Sequence, residues 1–118
     1  MLFRSDYLFQ KSGMAECGIC GAVLPRKFLV VAHIKPRRLC SHDERLDKNN
    51  VMAACIFGCD ALFDKGVLFV EGGIIQTNVP DLIGVLKHRI EPLLGKPCAY
   101  WNGNSAAYFR QHAAFCNR

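Results

Sequence analysis

Apolar side chains recur along this chain with two different periods, and the switches between them divide it into short elements. Between Val23 and Ile34 the β-branched and aromatic residues Val23, Phe28, Val30, Val31 and Ile34 favour extended structure, with Pro25 and Arg26 at a turn. A strand or hairpin is therefore predicted there, with His33 at the end of its second strand. Val51 to Cys55 reads as a short apolar return. Residues 67–70 and 74–76, separated by Gly72-Gly73, predict a β-hairpin with a glycine turn. Helical spacing marks residues 3–12 through Phe3, Tyr7 and Leu8, and Cys59 to Lys65 through composition, the latter ended by Gly66. Asp81 to Leu94 predicts an amphipathic helix with Leu82, Ile83, Leu86 and Ile90 on one face, and Ser105 to Cys116 a last helix. The polar stretch from Lys35 to Asn50, interrupted by Pro36, keeps neither period and reads as a long ordered loop.

Short strands followed by helices imply an α+β fold. At 118 residues the chain suits one domain, and 51% apolar with 21% charged residues is a globular balance. No apolar run reaches the length of a membrane span or signal peptide, so the compartment expected is the cytoplasm, without membrane partners. Seven cysteines, an odd number, argue for reduced thiols and a metal ion over a disulfide framework.

Two cysteine pairs stand out, Cys17-x2-Cys20 and Cys55-x3-Cys59, with Cys20 and Cys55 35 positions apart. Two such pairs can supply a tetrahedral thiolate site, for which Zn²⁺ is the expected ion, and four protein ligands make it structural. Alternatively, Cys55 and Cys59 are simply small buried apolar residues.

The net charge is +5, and seven basic residues face three acidic ones between positions 26 and 48. That excess suits either a polyanion or a solvated surface. Three segments sit in and after this stretch: Ala32-His33-Ile34-Lys35-Pro36, Glu44-Arg45-Leu46-Asp47-Lys48-Asn49-Asn50, and Asp60-Ala61-Leu62-Phe63-Asp64-Lys65-Gly66. In order and spacing they resemble the HNH nuclease family, most closely its restriction-type branch, over residues 17–70. The resemblance implies a ββα-metal (HNH, His-Me finger) core with a zinc knuckle and flanking helices. It implies a single nuclease domain over 1–118, with its core at 17–76 and a helical part at 80–117.

Each residue then has a role that phosphodiester hydrolysis requires. His33 is the candidate base, since a neutral imidazole can take a proton from water at physiological pH. Asp60 is the first choice of ligand for Mg²⁺ or Mn²⁺, and Asp64, four residues on, shares its helix face, where it could bind the ion or only brace the helix. By resemblance Asn50 joins the catalytic set as the residue that braces the loop, with Asn49 as a register alternative. Lys35, Arg37 and Arg38 are candidate phosphate contacts or solubilising charges. The chain departs from the family at Ala32, which cannot bind metal. It departs again at Asp60, which stands where histidine is common and one residue farther from Asn50 than usual. His42, His88 and His112 lack motif partners and read as structural or surface residues.

The function implied is restriction- or defence-type cleavage of DNA, with specificity supplied by a fused or associated domain and the oligomeric state, a homodimer included, left open. Two rivals remain: a catalytically inactive zinc-stabilised nucleic-acid-binding module, and a structural zinc domain whose basic stretch is merely solvated.

Overall fold

A computed structural model of the chain describes Phe9 and residues 13–118. Three antiparallel strand pairs carry the architecture, which is α+β. Strand β1 (Met14–Glu16) pairs with β2 (Val23–Pro25), and the knuckle that holds Cys17 and Cys20 joins them. Strand β3 (Leu29–His33) pairs with β4 (Val51–Cys55) from Leu29 opposite Cys55 to His33 opposite Val51. All five residues of β4 are buried, which explains why its sequence is uniformly apolar and not alternating. Helix α1 (His42–Leu46) lies between β3 and β4, and α2 (Cys59–Asp64) follows β4.

Next comes the hairpin of β5 (Leu68–Glu71) and β6 (Ile74–Thr77), turned by Gly72 and Gly73 at φ +59° and +85°. A two-residue turn with both central residues at positive φ matches the twist of its strands, and only glycine adopts it at little cost. Helix α3 (Gly84–Ile90) follows, and α4 (Ala106–Cys116) packs across β5. The core gathers Phe9, Ile19, Ile34, Met52, Leu68, Ile75, Ile90 and Phe109. Among the described residues no helix is long and apolar enough to cross a membrane.

Several predicted elements form as expected. Helix α2 stops before Gly66 at φ +76°, the β5–β6 hairpin sits on its glycines, and α4 occupies the expected segment. The predicted helix over 3–12 lies outside the described residues, apart from Phe9, which is helical and buried.

Three expectations are corrected. Strands β2 and β3 do not pair with each other: a 3₁₀ turn at Arg26–Phe28 separates them, and each joins a different partner. Pairing β3 with the wholly buried β4 covers more apolar surface than a two-sided exposed hairpin would. The stretch from Lys35 to Asn50 is ordered but is not all loop, since it holds 3₁₀ turns at Arg37–Leu39 and Lys48–Asn50 as well as α1. Finally, α3 spans Gly84–Ile90 and a 3₁₀ turn continues over Glu91–Leu93, so the long helix over 81–94 does not form. Gly84 begins it at φ +57°, and Pro92 lacks the amide that an α-helix would use there. Of the predicted apolar face only Ile90 is buried; Ile83 is 75% and Leu86 45% exposed.

Candidate functional site

The thiolate centre forms where three elements meet. Cys17 and Cys20 come from the β1–β2 knuckle, Cys55 ends β4, and Cys59 begins α2. Their four Sγ atoms all lie within 4.8 Å of one another. The knuckle closes through Cys17 N–H to the Ala22 carbonyl (2.8 Å) and Gly21 N–H to the Cys17 carbonyl (3.0 Å), and Gly18 N–H anchors it to the Ala53 carbonyl of β4 (2.8 Å). A Cβ at Gly18 would stand 2.7 Å from Met52 Sδ and 3.0 Å from the Tyr100 ring, so the close approach requires glycine.

The Cys55 amide donates to Cys17 Sγ at 3.3 Å. A hydrogen bond from Cys59 and the backbone amides of Cys20, Ile19 and Cys55 pull the Cys17 thiol down to about 4, and the same contact pushes the Cys59 thiol up. Crowded sulfurs that force one another into unequal protonation are what a cation relieves. A tetrahedral ion bound at about 2.3 Å per sulfur would space them by a little under ~4 Å. The four cysteines could therefore bind a structural metal such as zinc, and they leave no position open to water.

A second site opens along β3 and α2. Val30 to Ile34, Pro36 and Arg37–Arg38, then Asp60, Phe63, Asp64 and Gly66, and finally His112 and Phe115 line a cleft of about 440 Å³. His33 enters it from the last position of β3. Its Nε2 lies 3.3 Å from the Arg45 carbonyl, and because a carbonyl only accepts, this contact makes Nε2 the donor. One turn of α2 contributes both carboxylates. Burial, and then the neighbouring Asp64, push the Asp60 carboxyl above its ordinary range. Among the described residues the four cysteines are the one group whose ligand atoms already converge as a metal cluster. His33, Asp60 and Asp64 share the cleft without doing so.

Asn50 does not line this cleft. It is fully buried, and its Oδ1 accepts from the Lys35 amide (2.9 Å) while Nδ2 donates to the Glu44 carbonyl (3.0 Å) and to Cys40 Sγ (3.3 Å). One side chain thus ties both ends of the 34–50 segment together. Asn49 instead bonds Asp47 Oδ1 through its amide (2.9 Å) and its Nδ2 (3.2 Å), so Asn50 is the brace. Lys35 is likewise outside the cleft, its Nζ 2.9 and 3.0 Å from the Glu44 carboxylate oxygens. The Ser41 amide and Lys35 hold that carboxylate below its usual range. Arg37 and Arg38 do line the cleft.

Sequence reasoning missed His112 and Phe115. His112 is buried on α4, its ring stacked on Phe63 at 3.9 Å between centroids and Nε2 3.3 Å from the Phe63 carbonyl. Cys116 Sγ lies 3.4 Å from the same nitrogen. Burial lowers the His112 pKa against the opposing pull of the Phe63 carbonyl and Asp64. Its place on the apolar face of α4 was readable, but its packing on α2 is a long-range contact that no local spacing announces. Compared with known proteins, the chain matches no family model, and no curated protein matches it.

Proposed function

We propose that the chain is a metal-dependent DNA endonuclease of the HNH type, with β3, the 34–50 segment, β4 and α2 as its ββα-metal core. The observation that carries this reading is that His33 and the Asp60–Asp64 pair, distant in sequence, line one cleft together with Arg37 and Arg38. With the Arg45 carbonyl positioning its ring, His33 takes the proton of an attacking water. Asp60 would hold Mg²⁺ or Mn²⁺, with Asp64 as second carboxylate, and the oxygen donors and crowded charge suit such an ion. When bound, that ion supplies charge compensation to the phosphate and leaving oxygen. Arg37 and Arg38 steady the strand by its phosphates, and Asn50 acts indirectly by fixing the segment that carries the Arg45 carbonyl.

In this reading Zn²⁺ fills the cysteine centre and duplex DNA is the substrate, with sequence choice left to a fused or associated domain. All seven cysteines stand free of disulfides, which suits a reducing compartment such as the cytoplasm. The test is plasmid nicking. We expect cleavage with Mg²⁺ or Mn²⁺, arrest by EDTA, and loss of cutting in His33→Ala with DNA retention nearly intact. DNA retention without nicking in either metal would replace the nuclease by a binding module.

A further inference from the structure

We propose that Phe115 is the pedestal of a phosphodiester-binding clamp, presenting the guanidiniums of Arg38 and Arg118 to a DNA backbone that enters the cleft. Arg38 comes from the 3₁₀ turn Arg37–Leu39, and Arg118 from the chain beyond α4. Eighty positions apart in sequence, they converge on one ring, with Cζ 4.9 Å (Arg38) and 4.3 Å (Arg118) from the Phe115 centroid.

A guanidinium packed over an aromatic ring by its face keeps its N–H donors at the edge, available to phosphate oxygens. Contact with the ring limits where each fork can go and leaves its donors unspent. Neither arginine forms a salt bridge with a carboxylate among the described residues, where Lys35 and Glu44 do.

Position supplies the substrate class. Phe115 and Arg38 line the same cleft as His33, Asp60 and Asp64, so a strand whose phosphate reached His33 would carry a flanking phosphate past Phe115. The clamp rests on the nuclease reading for that path, yet it is measurable by binding alone.

The experiment is fluorescence anisotropy with a short labelled DNA duplex, without added divalent cation, across a series of salt concentrations. Arg38→Gln and Arg118→Gln should each lower the slope of log affinity against log salt by about 1, the signature of one lost phosphate contact. Phe115→Leu keeps both charges, so it should weaken binding several-fold at a nearly unchanged slope, and Arg118→Lys should do the same. All four changes fall on exposed or half-buried side chains, and zinc content with circular dichroism verifies folding.

Slopes equal to the parent's, or no salt-dependent binding by the parent, overturn the clamp. Plasmid nicking by the same proteins separates the two ideas: nicking with unchanged slopes removes the clamp and leaves the nuclease, and lowered slopes without nicking do the reverse.

Discussion

Asn50 shows how much one side chain can organise. Its amide meets a backbone N–H, a backbone carbonyl and a thiol, and no part of it reaches solvent. Asn50→Ala leaves those partners buried and unpaired, which should cost about 1–3 kcal/mol in urea unfolding. Because the Arg45 carbonyl that orients His33 belongs to the braced segment, nicking should fall further than stability does. His112 makes a second prediction, with a sign. Burial lowers its folded pKa, opposed by the Phe63 carbonyl and Asp64, so the unfolded chain protonates first. Its contribution to stability is complete above pH ~6.5 and declines as pH falls toward the folded value. Unfolding free energies at neutral and mildly acidic pH should show this loss, and His112→Gln should flatten it; an equal slope in the variant would remove the assignment.

The 34–50 segment behaves as an element because its ends and middle are each closed. Ser41 Oγ accepts the Glu44 amide at 3.2 Å, and the Glu44 carboxylate accepts the Ser41 amide at 2.8 Å, a capping box that starts a helix of only five residues. Such a short helix has little stability of its own. Glu44 links it onward to Lys35, and Tyr108 of α4 donates to Asp47 Oδ2 at 2.7 Å just after it. Ser41→Ala should therefore destabilise the protein by about 1 kcal/mol and speed amide exchange across 41–50 more than in β4. Helix α3 is the contrasting case. Val85 on it and Ile83 just before it are 74% and 75% exposed, so α3 reaches the core only through Ile90 at its end.

Across the described residues the cysteine cluster brings the β1–β2 knuckle together with β4 and α2, and α2 also carries the acidic pair of the cleft, so cluster and cleft share one short helix. We expect close to one zinc per chain by elemental analysis. Cys17→Ser should lower both zinc content and thermal stability, and chelation should unfold the β1–β2 region first. A protein that is stripped of metal and still melts as before would refute a zinc staple here.

Much of this was legible from local order alone. The paired cysteines, the strand ending in His33, the α2 segment, the glycine hairpin and the last helix follow from spacing and from glycine's tolerance of positive φ, which neighbours in sequence suffice to set. Ser41-x-x-Glu44 was a readable helix start as well, overlooked because the stretch lacks an apolar period. Long-range packing settled the rest. Whether β2 paired with β3 or with β1 depended on which partner buried more apolar surface, and α3 lost its predicted face because Pro92 and Gly84 shortened it. Arg37 and Arg38 reached the cleft while Lys35 turned to Glu44, although all three follow His33 closely in sequence. His112 and Phe115 entered the site from more than forty residues beyond α2. Chain order constrains which conformations neighbours can share, but only packing in three dimensions brings distant side chains to one cleft.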